Sequence, residues 1–81
     1  MTISVKLFAT LRQHLPSDAV NKTAIIDLDD DATTDSIIEQ MNIPGGNVHL
    51  ILIDGKHAPK GSNLHDGAVV SFFPPIAGGQ E

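Results

Sequence analysis

The chemistry of this 81-residue chain concentrates in its last ten residues, Phe72-Phe73-Pro74-Pro75-Ile76-Ala77-Gly78-Gly79-Gln80-Glu81. A double glycine carries no side chains, so a deep, narrow enzyme channel can admit its backbone. If Gln80 and Glu81 were removed, the new terminus would be the α-carboxylate of Gly79, an unhindered group that another enzyme could activate. Many termini are frayed and idle. Here a small folded domain runs directly into the glycines, which favours a functional end. The second pair, Gly45-Gly46, is a useful control. It lies between elements with no free carboxylate nearby and reads as a helix-exit turn.

Other side chains with chemical potential are less well arranged. His14, His49, His57 and His65 lack metal-ligand spacing and have no glutamate companion of the H-E-x-x-H kind. Asp29-Asp30-Asp31 lacks the alternating ligands and central glycine of a calcium loop. It reads instead as a solvated turn ahead of a helix N-terminus, where negative charge is favoured. Ser4, Ser36, Ser62 and Ser71 sit in no nucleophile-elbow context. Lys56 and Lys60 flank the Asp54-Gly55 turn as solvated loop charges. Cysteine is absent, so the chain forms no thiolate, disulfide or thioester.

The elements that must carry the tail follow from periodicity. Ile3 to Phe8 alternates as a strand, with Ile3, Val5 and Leu7 on one face and Ser4, Lys6 and Phe8 on the other. Ala9 to Leu15 forms a short helical turn stopped by Pro16, and residues 16–22 read as a loop. Thr23 to Leu28 is a second strand, paired antiparallel with the first. A helix from Thr33 or Thr34 to Met41 or Asn42 places Ile37, Ile38 and Met41 on one side, and Pro44-Gly45-Gly46 ends it. Val48 to Ile53 is apolar except at His49, the pattern of a covered strand. Asp54-Gly55 turns it into a short return over Lys56 to Pro59, and Ala68 to Phe73 is the last strand. The expected core is Ile3, Val5, Leu7, Ile26, Leu28, Ile37, Ile38, Met41, Leu50, Leu52, Leu64 and Val70. An α+β fold follows, a mixed sheet of four or five strands with one helix on one face.

Composition bounds the rest. One core is all that this length allows. Hydrophobic residues at 41 % and charged residues at 19 % suit a compact fold rather than a disordered chain. A net charge of −5 argues against nucleic acid as a partner, since phosphates demand clustered Lys and Arg. The N-terminus shows no signal-peptide pattern, and no apolar run approaches the length of a membrane span. The expectation is a cytoplasmic protein without membrane or nucleic-acid partners.

The opening Val5-Lys6-Leu7-Phe8-Ala9-Thr10-Leu11-Arg12, the element order and the closing Phe72-Phe73-Pro74-Pro75-Ile76-Ala77-Gly78-Gly79 resemble the small-subunit family of molybdopterin synthase. These are ubiquitin-like β-grasp sulfur carriers, related to the thiamine-pathway carrier. The likeness extends from Ile3 to Gly79 and implies a β-grasp domain over residues 1–73 with a flexible tail over 74–81. It also implies a chemistry. A ubiquitin-activating-like adenylyltransferase uses ATP to adenylate the terminal glycine, and a sulfur donor converts the adenylate to a thiocarboxylate. The large subunit of molybdopterin synthase then receives the sulfur. Carried onto this chain, the role falls on Gly79, with Gly78 as the slim approach. The chain would be a carrier rather than an enzyme, with no cofactor of its own.

The residues agree with that division of labour. A carboxylate is a poor acyl donor until its oxygen becomes a leaving group, and no G-x-x-x-x-G-K-[ST] loop is present to bind ATP. Without cysteine, the backbone terminus remains as the place for sulfur. Extended at about 3.3 Å per residue, Pro74 to Gly79 spans roughly 20 Å, enough to enter a buried site. The prolines stiffen its base and reduce the ordering cost on docking. Phe8 and Phe73 share a parity opposite to the core face, which marks them as a partner-docking patch with Pro74, Pro75 and Ile76. Ile51 and Ile53 are candidates to extend it. Gln80-Glu81 depart from the family's ending; trimming by a processing protease is the favoured account, and a retired carrier that serves only as an interaction module is the other. Some related carriers with blocked ends serve other pathways, including sulfur amino-acid synthesis; a carrier for that or the thiamine pathway is one alternative, and a ubiquitin-like modifier joined to target lysines is the alternative from another class.

Overall fold

The computed structural model describes residues 1–15 and 23–75. Five strands form one mixed sheet: β1 (Thr2–Leu7), β2 (Thr23–Asp27), β3 (Leu50–Ile53), β4 (Lys56–His57) and β5 (Val69–Phe73). Their spatial order is β2-β1-β5-β3-β4. β1 and β5 run parallel at the centre, and every other neighbouring pair is antiparallel. The helix α1 (Thr34–Gln40) packs on one face. Short 3₁₀ turns occupy Ala9–His14 and Gly45–Asn47.

Alternation in β1 and β5 decides what the sheet buries. Ile3, Val5, Leu7, Val70 and Phe72 point to the helix side and join Ile37, Ile38, Leu11, Ile43, Val48 and Ile51 in one cluster. Phe72 is fully buried, a burial worth about 1.5–3 kcal/mol. Ile26, Leu28, Met41 and Leu64 are partly buried and pack against this cluster.

The third strand corrects the sequence reading. Ile51, not Leu50 or Leu52, enters the core, and Ile53 packs against it from the same face. The register explains the reversal. Ile51 stands opposite Phe72 and Leu50 opposite Phe73, so the face of β3 is inherited from β5. An unbroken apolar run has no parity of its own. Ile51 and Ile53 therefore do not extend an outer patch; Leu50 and Leu52 take that side.

The helix begins and ends by specific polar contacts. The Thr33 N–H donates to Ser36 Oγ at 3.1 Å, and Asp35 lies in the first turn, where a negative charge meets the positive end of the helix dipole. The buried Thr34 hydroxyl accepts from the Gly61 N–H at 2.8 Å, while the Thr34 N–H donates to Ser62 O at 3.1 Å. These bonds fasten the loop before β5 to the helix start. At the other end, Asn42 adopts φ +57°. Its N–H donates to Glu39 O at 3.1 Å, and the Ile43 N–H reaches Ile38 O at 3.0 Å. That is a Schellman exit with Asn in the left-handed position and two isoleucines in its hydrophobic contact. The exit expected at Gly45-Gly46 is thus made three residues earlier. The glycines form the separate 3₁₀ turn, whose Gly45 carbonyl accepts from Lys60 Nζ at 2.8 Å.

Candidate functional site

The outer face of the sheet, away from α1, gathers the residues that alternation leaves out of the core. Phe8 directly follows β1 and Phe73 ends β5. The two strands run parallel with Leu7 beside Phe72, so the following residues emerge side by side. Their rings stack with centroids 4.3 Å apart and planes 11° from parallel. The Phe8 N–H donates to Phe72 O at 3.2 Å, extending the ladder by one bond. Ala9 then turns the chain away at φ +53°, a left-handed angle that costs a residue with a Cβ about 1–2 kcal/mol. That strained turn comes directly after Phe8.

Leu50 adds a third apolar side chain through its register opposite Phe73. Phe8, Ala9, Thr10, His49, Leu50, Phe73, Pro74 and Pro75 border a groove of about 450 Å³. Phe8, Leu50, Phe73 and Pro74 are all half-buried, so each offers apolar surface to a partner. Below them a second row crosses the sheet as Lys6, Ser71, Leu52 and His57.

The structure therefore brings together four of the residues chosen from sequence, namely Phe8, Phe73, Pro74 and Pro75. Ile76, Gly78 and Gly79 lie outside the described residues. Ala9, Thr10, His49 and Leu50 are not among the docking residues that the sequence marks. The sequence pattern places Leu50 in the core, and its true side becomes visible only through its pairing with Phe73. The chain passes through the groove wall at Pro74-Pro75, so a partner covering the aromatic pair also meets the start of the tail.

The opposite end of the sheet holds, among the described residues, the one polar arrangement with shifted ionisation. Asp54 opens the β3–β4 turn at φ +53°, followed by Gly55 at φ +82°. Its Oδ1 accepts from the Val69 N–H at 3.0 Å, and its Oδ2 pairs with His65 Nε2 at 2.5 Å. The Val69 N–H, then His65, hold the Asp54 carboxyl below its ordinary range. Asp54, and secondarily the Asp66 carbonyl at 3.0 Å from His65 Nδ1, raise the imidazole above its ordinary value. This cluster straps the hairpin to the start of β5 and is remote from the aromatic groove. Among the described residues, no group of three or more His, Cys, Asp or Glu is placed to hold a metal ion. No helix of the described residues is long and apolar enough to cross a membrane.

A central parallel pair, antiparallel flanks and a single covering helix define a ubiquitin-like β-grasp, and solved structures agree. A solution structure of the Haloferax volcanii HVO 2177 protein superposes with a TM-score of 0.75 at 27 % identity, covering 98 % of this chain and 87 % of that one. The crystal structure of H. volcanii small archaeal modifier protein 1 gives 0.69 at 26 %, with 93 % and 98 % covered. A putative molybdopterin converting factor subunit 1 from Pyrococcus furiosus gives 0.69 at 25 %, again over 93 % and 98 %. A search of curated protein sequences returned no match. The Mut7-C ubiquitin family model matches residues 1–78, and the chain belongs to that family.

Proposed function

We propose that this protein is a sulfur carrier that works through the backbone carboxylate of Gly79, exposed once Gln80-Glu81 are removed. The observation that carries the reading is the placement of the stacked Phe8–Phe73 pair and its groove at Pro74-Pro75, where the double-glycine tail begins. A half-buried aromatic pair provides the anchor that interfaces favour, and the tail starts at its rim. Residues 1–73 act as the address and 74–81 as the reactive arm.

The chemistry balances with two partners. An adenylyltransferase joins the Gly79 carboxylate to ATP, releasing pyrophosphate and leaving an acyl-adenylate. A persulfide then attacks the acyl carbon and expels AMP, and a thiol cleaves the resulting acyl disulfide to give the thiocarboxylate. The chain contributes the acyl group and its presentation, and its partners supply catalysis. The likeness to a molybdopterin converting factor subunit 1 favours delivery to the large subunit of molybdopterin synthase in molybdenum cofactor synthesis. A second reading, conjugation to target lysines, is favoured by the likeness to small archaeal modifier protein 1.

Intact-mass measurement tests this directly. The chain ending at Gly79 is incubated with its activating enzyme, ATP and a sulfur donor. The expected result is a gain equal to the replacement of one oxygen by sulfur, lost when Gly79 is deleted. Higher-mass conjugates with target proteins would support the modifier instead, and an unchanged mass would end the carrier reading.

A further inference from the structure

The β2 edge carries a second surface, separate from the aromatic groove. β2 is terminal in the sheet order, and no strand of the described residues pairs with its outer side. Its hydrogen-bond phase shows which backbone groups face outward. Met1 and Leu28 exchange both bonds, from Met1 N to Leu28 O at 2.6 Å and from Leu28 N to Met1 O at 2.8 Å. Along an antiparallel ladder such pairs alternate with pairs that exchange none. Ile3 with Ile26 and Val5 with Ala24 are therefore bonded pairs. Ile25 and Asp27 must turn their N–H and C=O groups away from β1. The opposite strand keeps the same phase, since the Ser4 N–H donates away from β2, to Ala68 O at 3.0 Å. Ile25 is also 63 % exposed, the one exposed large hydrophobic residue among those described.

A trough runs along this edge between β2 and α1. Asp27, Asp29, Asp31, Ser36 and Glu39 line a portion of about 640 Å³. Gln40 joins it to a smaller portion of about 280 Å³, bordered by Ile26 and Met41. Among the described residues, no Lys or Arg borders either portion.

We propose that the β2 edge receives an extended basic–apolar segment of a partner protein as an added strand. Main-chain bonds to Ile25 and Asp27 hold such a strand, and its alternating side chains select it. The residue paired with Ile25 lies on the same face as Ile25 and is apolar. Its two neighbours point toward α1, where Glu39 and the Asp29–Asp31 loop call for Lys or Arg. A second copy of this chain is a poor occupant, because the residues flanking its own Ile25 are Ala24 and Ile26, which bring no Lys or Arg to the acidic trough. This inference does not rest on the role of Gly79.

The test titrates the full, isotopically labelled chain with an alternating lysine–valine heptapeptide, using a glutamate–valine peptide as control, and follows backbone amides by NMR. The Ile25 and Asp27 amides should shift and exchange more slowly with the basic peptide alone, and added salt should weaken binding. Ile25→Pro removes one outward donor without touching a bond to β1 and should abolish binding. Should that variant fail to fold, the surface pair Asp31→Lys with Glu39→Lys should weaken binding by about tenfold or more. Three results would each overturn the proposal: shifts confined to Phe8, Leu50 and Phe73, equal binding of the acidic peptide, or no response at millimolar peptide. Protection of the same amides by dimerisation without peptide would overturn it too.

Discussion

Phe8 and Phe73 stack at 4.3 Å across the parallel centre of the sheet, while Phe72, one residue earlier, is buried on the opposite face. Adjacent phenylalanines in β5 thus serve the two faces of the sheet. Phe73→Ala and Phe8→Ala should each cost the free domain about 0.5–1.5 kcal/mol from the lost ring pair. Their larger effect should fall on docking. Calorimetric titration against the activating enzyme should show a loss of about 2 kcal/mol or more, some thirtyfold in Kd. Phe72→Ala should instead destabilise the fold by about 3–5 kcal/mol in denaturant unfolding. If Phe73→Ala leaves every partner affinity unchanged, the groove is not the docking surface.

The same logic separates neighbours in β3. Ile51→Ala empties a site that is only 2 % exposed and should cost about 2–5 kcal/mol of stability. Leu50→Ala, on the groove side, should change stability much less and reduce partner affinity. Urea melts of the two variants give the comparison. Equal losses would mean that both faces of β3 are core.

That pair also shows where sequence reading reaches its limit. In β1 the polar residues Ser4 and Lys6 interrupt the apolar ones, so the burial of Ile3, Val5 and Leu7 is legible without a structure. In β3 no polar residue marks a face between Leu50 and Ile53, and the side is fixed only by pairing with β5. The helix start was legible because Thr33 and Asp35 belong at an N-terminus. Its exit was not, because Asn is only an occasional left-handed residue and the nearby Gly45-Gly46 is the stronger signal. The aromatic pair of the candidate site was visible through the parity of Phe8 and Phe73. Leu50 and His49 joined it only through the register.

The Asp54–His65 pair predicts a pH window for stability. The folded carboxyl lies below its unfolded value, so its contribution is present above an unfolded pKa of about 3.9 and is lost as pH falls through the depressed folded value. The folded imidazole lies above its unfolded value. Its contribution is full below an unfolded pKa of about 6.5 and is lost as pH rises through the raised one. Lys56 and Asp66 also bear on the pair. The Tm difference between the parent and His65→Gln should therefore be largest at pH ~5.2, midway between the two values, and shrink toward both extremes. Both groups are solvent-exposed, so salt should reduce the effect. A Tm difference constant from acid to alkaline pH would show that His65 acts by packing alone.

Two glycines should respond in opposite directions to the same substitution. Gly55 holds φ +82° in the β3–β4 turn, and a Cβ built there meets no atom within 4 Å. The cost of Gly55→Ala is therefore conformational, about 1–2 kcal/mol. Gly45 also has open space around its Cβ position but does not occupy the left-handed region. There Ala mainly reduces the freedom of the unfolded chain, which should stabilise the protein by about 0.4–1 kcal/mol. Thermal melts of the two variants at one pH provide the measurement. The signs should differ, because only the Asp54-Gly55 turn requires left-handed backbone, whereas Gly45 lies in a 3₁₀ turn that alanine can adopt. Destabilisation by Gly45→Ala comparable to that of Gly55→Ala would show that the Gly45–Asn47 turn depends on glycine as well.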